Sequence, residues 1–380
     1  MKKSQKLVSV VIPSLNEELN ISHVIKVIRT AFSKYKINGE IVIMDSSNDR
    51  TREIAEKLGA RVFKVPKKGL GYAYIESLKH LKGDYIVMGD ADGTYNFLEM
   101  NRFVKKLDDG YDFVMGTRLK GDIKKGAMPW SHRYIGTPIL TFCINILFKT
   151  NISDSNSGLR ALTKKAFEAI KLDSYGWEYA SEMIVKAALN NLKITEVPVS
   201  LAPDQEGRKP RLSNPFNAGW SNLRYIILLA SEFIFLKVGF IIWLIGFVLV
   251  FSQLKGAITV FNIFIGLHSL ILGLILSFLG FFIIQMGLLT QMFSYISAFK
   301  TNTLSLKLKK WFTFDKGIII GSSIAFIGFI FELSVLVKRI FYYTPEFNYF
   351  YLALFGMYFI INGVMVIYFA FIFSLFKRRL

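Results

Sequence analysis

The second part of the chain contains four long apolar segments, near residues 233–251, 264–288, 317–337 and 350–374. A helix needs about 20 apolar residues to cross roughly 30 Å of hydrocarbon, and each segment is long enough. Up to about Ser231, charged and apolar residues are mixed as in a water-facing domain. We therefore predict an N-terminal domain over residues 1–215, an amphipathic helix over 216–232 and an all-α membrane domain over 233–380.

The amphipathic helix is predicted from apolar residues at helical spacing, which are Phe216, Trp220, Leu223 and Ile227, beside Arg224. This pattern is typical of a helix that lies at a membrane surface. The same residues also suit an N-terminal extension of the first membrane span.

Basic residues indicate the orientation in the cell membrane. The loop from Lys300 to Lys316 carries five lysines, and the chain ends Lys377-Arg378-Arg379-Leu380. Basic loops stay in the cytoplasm, so four spans place the N-terminal domain and both termini on the cytoplasmic side. Glu332 falls inside the third segment, where a carboxylate is costly, and Lys338 or another helix is its candidate partner.

The formal net charge of +19 suits an anionic membrane surface or phosphate-bearing ligands. Nucleic acid is not an expected partner, because no zinc-ligand spacing or nucleic-acid-binding motif is found. The single cysteine, Cys143, excludes an internal disulfide and agrees with a domain that faces the cytosol. The residues from Val8 to Ile12 form too short an apolar run for a signal peptide. The sequence leaves the oligomeric state open.

Short apolar runs alternate with helical patterns in the N-terminal domain. The predicted strands are Leu7–Ile12, Ile41–Met44, Val62–Val65, Tyr85–Met88, Phe113–Met115 and Ile194–Val199. This alternation predicts an α/β fold with a mostly parallel sheet. Polar clusters follow four of the strands, at Asn16-Glu17, Asp45 to Asp49, Asp90 to Asp92 and Gly116 to Arg118. Since parallel strands end at the same edge, these loops are expected to form one site.

Asp90-Ala91-Asp92 directly follows the predicted strand Tyr85–Met88. Carboxylates are ligands for Mg²⁺ or Mn²⁺ when the ion is shared with a diphosphate. An ordinary strand-ending turn is the alternative. Lys67 to Tyr72 contains two glycines and suits either a phosphate-binding loop or a polar turn. His132 is more typical of a packing or surface histidine than of a catalytic one.

Several motifs resemble those of family-2 inverting glycosyltransferases with the GT-A fold, which is Rossmann-like. Val10 to Glu17 resembles the first strand of that family, and Asp90-Ala91-Asp92 resembles its D-x-D motif. Within the family, the dolichyl- or polyprenyl-phosphate sugar synthases, of the mannose or glucose type, are most similar. The narrower resemblance is carried by Gly116-Thr117-Arg118, Trp130 to Tyr134, Asp154 to Arg160, Gly176 to Glu182 and the membrane helices.

The resemblance implies transfer of a hexose from a nucleotide-diphosphate sugar to a dolichyl or polyprenyl phosphate, with inversion and with Mg²⁺ or Mn²⁺. The nucleotide-sugar site would comprise Pro13, Asn16, Glu17, Asp45, Lys68, Asp90, Ala91 and Arg208, with Arg211 as the alternative to Arg208. Asp92 would hold the metal, with Asp90 as a second candidate. Arg118, Ser131, Arg133 and Thr137 would bind the lipid phosphate. Asp92, Arg118 and Arg133 are the catalytic candidates.

The sequence departs from the family pattern in the loop Asp45-Ser46-Ser47-Asn48-Asp49-Arg50-Thr51, and in Leu15, where an aromatic residue is usual. Either Met44 replaces the first aspartate of the loop or the loop is one residue shorter, so guanine and uracil both stay open as the base. A processive polysaccharide synthase is one alternative function, although the Arg-Trp pair of such enzymes is absent from the sequence. A non-catalytic nucleotide-binding transporter or scaffold is another.

Overall fold

The structure, a computed structural model, describes residues 6–204, 215–230, 232–254, 256–261, 263–296, 308, 311–341 and 347–377. Contacts between residues divide the chain into two compact units, Met1–Leu229 and Ala230–Leu380. The first unit is built around a β-sheet, whereas the second is built from long apolar helices.

A seven-stranded sheet forms the centre of the first unit. Its strands are β1 Val8–Ser14, β2 Gly39–Asp45, β3 Arg61–Lys64, β4 Tyr85–Met88, β5 Phe113–Thr117, β6 Arg160–Thr163 and β7 Ile194–Pro198. Their order in the sheet is β3-β2-β1-β4-β6-β5-β7. Only β6 is antiparallel to its neighbours, β4 and β5. The predicted α/β fold with a mostly parallel sheet is confirmed.

Helices cover both faces of the sheet. They are α1 Ile21–Tyr35, α2 Thr51–Lys57, α3 Leu70–Ser77, α4 Met100–Asp108, α5 Thr137–Phe148, α6 Lys164–Ile170, α7 Tyr179–Leu189 and α8 Pro215–Leu229. One apolar core lies between the sheet and α1 and α4, and a second lies between the sheet and α3, α5, α6 and α7. Because both faces are covered, the central strands β1 and β4 are apolar almost throughout.

Strand β6 is the main element that the sequence did not predict. It has only four residues, begins with Arg160 and lacks an apolar run. The arginine is nevertheless fully buried, because its guanidinium donates hydrogen bonds to the backbone oxygens of Ser155, Ser157 and Ala180. Since β6 runs antiparallel, the loop that precedes it lies at the edge where the parallel strands end.

Among the described residues of the second unit, four helices are long and apolar enough to cross a membrane. The apolar stretches are Phe233–Phe251, Leu267–Met292, Phe314–Phe341 and Tyr349–Phe376. They belong to α9 Gly239–Phe251 with the preceding turn Glu232–Val238, α10 Leu267–Ile296, α11 Phe314–Phe341 and α12 Phe347–Lys377. A two-stranded hairpin, Ile258–Val260 with Ile263–Ile265, separates α9 from α10. It occupies the start of the segment predicted as the second span, so that helix begins only at Leu267.

Glycines allow these helices to pack closely in pairs. A Cβ atom at Gly246 of α9 would collide with the backbone of α10 at Ser277, and one at Gly321 of α11 would lie 2.6 Å from the Gly363 oxygen of α12. Small residues at such contacts are typical of helices that associate in lipid. Glu332 lies against Gly356 of α12. Its Oε1 atom is buried, and no described residue donates a hydrogen bond to it.

Candidate functional site

Two neighbouring cavities open at the carboxyl edge of the sheet, where the strands β1, β2, β4 and β5 end and the loops after them begin. The first has a volume of about 630 Å³ and the second about 330 Å³. Leu70 and Trp177 line both cavities and form the boundary between them. The predicted convergence of polar loops therefore produces two adjoining compartments.

The first cavity is mainly apolar and is formed by the ends of β1 and β2 and the start of α3. Its wall includes Pro13 and Asn16, two residues predicted for the nucleotide-sugar site. Lys67 also lines this cavity, whereas the predicted Lys68 lies with its Nζ atom 5.0 Å from the centre of the Tyr72 ring.

Glu17 and Asp45, which were also predicted for the donor, are buried and hold the loops together. The Asp45 carboxylate accepts hydrogen bonds of 2.8 Å from the hydroxyl of Ser14 and from Nη2 of Arg52. The backbone N–H of Glu17 donates to the Thr51 hydroxyl at 2.8 Å. Both acidic residues thus fix the shape of the first cavity from behind its wall.

The two glycines of the predicted phosphate loop serve a close backbone contact. A Cβ atom at Gly69 would collide with the carbonyl oxygen of Tyr175, and one at Gly71 with that of Ser174. Gly69 also has a φ of +126°, a conformation that favours glycine. The backbone N–H of Tyr72 donates to the Tyr175 oxygen at 3.2 Å. The loop before α3 is therefore joined directly to the segment that carries Trp177.

A buried ionic cluster holds that segment in place. The Glu182 carboxylate accepts hydrogen bonds from the backbone N–H groups of Asp173 and Ser174, at 2.8 and 2.9 Å. The Lys186 ammonium pairs with Glu182, lies 3.3 Å from the Asp173 carboxylate and donates to the Lys171 oxygen at 2.7 Å. The position of Trp177 between the two cavities thus depends on the ion pairs of Lys186 with Glu182 and Asp173.

Asp90 and Asp92 both line the second cavity. The Oδ1 atom of Asp92 accepts hydrogen bonds from the N–H and the hydroxyl of Thr94, at 3.0 and 2.7 Å. Burial and the negative charge of Asp92 raise the pKa of Asp90 to about 7, although the charges of Arg118 and Arg160 oppose this shift. Ala91, between them, is fully buried and faces the core.

The acidic pair fits a divalent ion that takes its other ligands from a diphosphate and water. No described residue donates a hydrogen bond to the Asp90 carboxylate, so its negative charge is poorly compensated. Within the described ranges, no group of three or more His, Cys, Asp or Glu side chains is placed to hold a metal alone. Mg²⁺ is commonly bound by one or two carboxylates together with substrate phosphates, and the pair matches that arrangement.

Arg118 faces the same cavity from the end of β5. Its Nε and Nη2 atoms donate to the two carboxylate oxygens of Asp154, both at 2.8 Å, and its backbone N–H donates to the same carboxylate at 3.0 Å. His132 also lines the cavity, and burial together with the Arg118 charge lowers its pKa. Its imidazole is therefore expected to be neutral near pH 7.

The four residues predicted for the lipid phosphate occupy two different environments. Arg118 and Thr137 line the second cavity, and the Thr137 hydroxyl accepts a hydrogen bond from Asn156 at 3.3 Å. Ser131 and Arg133 are exposed on the turn that precedes α5, and the Arg133 guanidinium lies 5.4 Å from the centre of the Tyr134 ring. Arg208 and its alternative Arg211 lie outside the described residues.

Sequence reasoning did not select several residues that line the second cavity, namely Tyr95, Asn156 and Trp177. The Tyr95 hydroxyl accepts a hydrogen bond of 2.7 Å from the backbone N–H of Gly158, which links the loops after β4 and before β6. The sequence signals for Asn156 and Trp177 were the motifs Asp154 to Arg160 and Gly176 to Glu182, which contain them.

Two helices of the first unit present large apolar side chains to the outside. On α5 and the turn before it, the exposed residues are Trp130, Tyr134, Ile135, Ile139, Phe142 and Ile146. On α8 they are Trp220, Ile227 and Leu228, while Ile226 is fully buried in the core shared with α5. Leu223, one of the apolar residues of the predicted amphipathic helix, packs against that core.

Open α/β sheets bind their ligands at the carboxyl edge, where this chain has two adjoining cavities and an acidic pair. Residues 9–171 match glycosyl transferase family 2. The low-salt glycan biosynthesis hexosyltransferase Agl6 of Haloferax volcanii is 38% identical over 306 residues, which cover 80% of this chain and 72% of that protein. The chain belongs to glycosyl transferase family 2 and is a glycosyltransferase.

Other known proteins are similar over shorter regions. The dolichyl-phosphate hexose transferase of Haloferax volcanii is 30% identical over 196 residues, covering 51% of this chain and 82% of that protein. A solved structure of glucosyl-3-phosphoglycerate synthase from Mycobacterium tuberculosis, in complex with Mn²⁺ and UDP-glucose, covers 59% of this chain and 79% of that one. Its sequence identity is 22% and its TM-score is 0.47.

Proposed function

We propose that this glycosyltransferase transfers a hexose from a nucleoside-diphosphate sugar, of the GDP-mannose or UDP-glucose type, to a polyprenyl or dolichyl phosphate. The observation that carries the proposal is that one cavity presents both the Asp90–Asp92 pair and the Arg118 guanidinium. Acidic groups suit a metal-bound diphosphate, and a guanidinium suits a second, accepting phosphate. The names of the two relatives, a hexosyltransferase and a dolichyl-phosphate hexose transferase, support it.

The donor would bind across both cavities. The larger, mainly apolar cavity beside Pro13 and Asn16 has room for the base and ribose, and Lys67 can reach an anionic group from its wall. The diphosphate and the sugar would then extend past Trp177 to Asp90 and Asp92. We propose that Asp92 holds Mg²⁺ or Mn²⁺ and that Asp90 contributes to the same cation or to the donor. Such an ion supplies charge neutralisation for the departing diphosphate.

The acceptor phosphate would bind opposite the donor, at the free edge of the Arg118 guanidinium. A lipid phosphate is already anionic at neutral pH, so it needs a fixed position and exclusion of water more than a strong base. Neutral His132 and the side chain of Asn156 add polar groups on that side of the cavity. Attack in line with the departing diphosphate inverts the anomeric carbon, and the exposed Arg133 would meet the phosphate at the cavity entrance.

A lipid acceptor is supported by the outer face of the first unit. The helices α5 and α8 pack against each other, and both expose aromatic and aliphatic side chains, including Trp130, Phe142 and Trp220. Aromatic residues beside basic ones are typical of a surface that rests in the headgroup region of a bilayer. We propose that this face contacts the cytoplasmic leaflet, where the polyprenyl phosphate is held.

The test is a donor screen with the purified full-length protein and a short polyprenyl phosphate. GDP-mannose, UDP-glucose and related donors are supplied with Mg²⁺ or Mn²⁺, and the glycolipid mass is read by mass spectrometry. We expect a product with one lipid-linked hexose, and the loss of most activity in Asp92→Ala. The control is Asp122→Asn, which removes an exposed carboxylate. Full activity in Asp92→Ala would remove the metal assignment, and long polysaccharide products would favour a processive synthase.

A further inference from the structure

Three arginines near the second cavity are held in different ways. Arg160 donates only to backbone oxygens and is completely buried, whereas Arg133 is exposed. Arg118 is bound on one edge by the Asp154 carboxylate, while no described residue accepts a hydrogen bond from its Nη1 atom. Arg118 is thus the one of these three whose guanidinium is both fixed and open to the cavity.

The contact between Arg118 and Asp154 restricts the guanidinium in direction as well as in position. The side chains are 12% and 0% exposed, and two parallel hydrogen bonds of 2.8 Å join them. A guanidinium is planar, so a carboxylate on one edge determines where the remaining N–H groups point. The carboxylate of Asp154 also compensates part of the positive charge of the Arg118 guanidinium. Without Asp154, the nearby Asp90 would attract this guanidinium more strongly.

Asp154 is itself held by β7. The Glu196 carboxylate accepts hydrogen bonds from the backbone N–H groups of Ser153 and Asp154, at 2.6 and 3.2 Å, and from the Ser153 hydroxyl at 2.7 Å. Glu196 also pairs with Lys120 at 3.1 Å. Strand β7 therefore fixes the orientation of Arg118 through the carboxylates of Glu196 and Asp154, neither of which lines the cavity.

We infer that Asp154 is a positioning residue for the acceptor phosphate, because it holds Arg118 with its Nη1 edge directed into the cavity. This inference rests on the proposed function, in which Arg118 binds the accepting phosphate. Asp154 does not line the cavity, and it acts on the acceptor mainly through Arg118, although its carboxylate also accepts a hydrogen bond of 3.2 Å from the backbone N–H of Asn156. It follows that the loss of Asp154 should matter only while Arg118 is present.

The experiment is a double-mutant cycle on the full-length protein, with a short polyprenyl phosphate as the acceptor probe. Because a displacement of about 1 Å costs up to about 100-fold in rate, we expect Asp154→Asn to raise the acceptor KM about tenfold. The donor KM should stay within about twofold, since interactions at separate sites are close to independent. Arg118→Ala should raise the acceptor KM further, and adding Asp154→Asn to it should change that KM no more.

Thermal unfolding gives a second readout. Arg118→Ala leaves the buried Asp154 carboxylate without its cation, so its unfolding temperature should fall, and the double variant should recover part of the loss. If Asp154→Asn does not fold, Glu196→Gln is the second variant, because it weakens the hydrogen bonds that hold the Asp154 backbone and keeps the Asp154 carboxylate. It should raise the acceptor KM only when Arg118 is present. Asp122→Asn serves as the exposed control.

Independent, multiplying effects of the two substitutions on the acceptor KM would overturn the inference, as would an unchanged acceptor KM in Asp154→Asn. Failure of the proposed function is distinguishable, since the wild-type protein would then form no lipid-linked hexose with any donor. A wild-type protein that glycosylates the lipid while the two substitutions act independently would remove only the role of Asp154.

Discussion

Replacing Asp90 by asparagine should stabilise the metal-free protein at alkaline pH, although it should impair catalysis. In the folded protein, burial and the Asp92 charge raise the pKa of Asp90 to about 7, against an ordinary value of 3.8. A carboxylate that is hard to ionise lowers stability when it is forced to carry its charge. Asparagine has nearly the same shape and no charge, so it removes this cost.

The magnitude follows from proton linkage. Because the folded state binds the Asp90 proton more tightly than the unfolded chain does, stability falls as the pH rises from about 4 to about 7. A difference of this size between the two pKa values corresponds to about 4 kcal/mol as an upper bound. Asp90 is only partly buried, so solvent screening reduces the effect, and we expect Asp90→Asn to gain about 1–2 kcal/mol at pH 8.

The assay is thermal unfolding of the full-length protein with EDTA, at pH 8 and at pH 4.5. We expect Asp90→Asn to raise the unfolding temperature by about 3–6 °C at pH 8. At pH 4.5 the difference should shrink to about a quarter of its value at pH 8, because Asp90 is then protonated in the folded state and ionised only in the unfolded chain. Saturating Mn²⁺ at pH 8 should reduce or reverse the difference by stabilising the wild type. A lower stability of Asp90→Asn at pH 8, or an equal gain at both pH values, would show that the ionised Asp90 carboxylate does not destabilise the folded protein.

Three further predictions concern the surroundings of the site. Gly71→Ala should lower both the stability and the donor affinity, because the added Cβ would collide with the Ser174 oxygen. Thermal unfolding and the donor KM measure the two effects, and unchanged values would contradict the close contact. Lys186→Met should cost about 3–5 kcal/mol of stability, measured by denaturant unfolding, since it leaves the buried Glu182 carboxylate without its cation. Trp130→Ser combined with Phe142→Ser should weaken activity on vesicle-embedded acceptor several-fold, and an equal loss on acceptor in detergent would argue against membrane contact by this face.

The sequence was sufficient for the parts of the fold that follow from a regular pattern. Apolar runs such as Tyr85–Met88 predicted the central parallel strands, and long apolar segments predicted the four helices of the second unit. It was insufficient for β6, because this short strand begins with an arginine whose burial depends on hydrogen bonds to the backbone oxygens of Ser155, Ser157 and Ala180, and no apolar pattern indicates those bonds. The hairpin between α9 and α10 was not predicted, because its apolar residues adjoin those of the following helix.

For the site, the sequence indicated loops that line the two cavities, but it could not give the orientation of the side chains. Lys67 and Lys68 are adjacent, yet one lines the first cavity and the other packs on Tyr72. Arg118 and Arg133 were predicted for the same phosphate, and only the structure shows that one is held by Asp154 and the other is exposed. Such differences depend on partners from separate elements, which spacing along the chain does not reveal.

Whether a lipid phosphate is the acceptor can be decided by comparing polyprenyl phosphate with the corresponding polyprenyl alcohol. The two lipids are supplied in the same vesicles with the donor selected by the screen, and release of nucleoside diphosphate is measured together with the lipid-linked hexose. We expect both products with the phosphate and neither with the alcohol. Equal turnover with the alcohol, or equal nucleoside diphosphate release without any lipid, would contradict it.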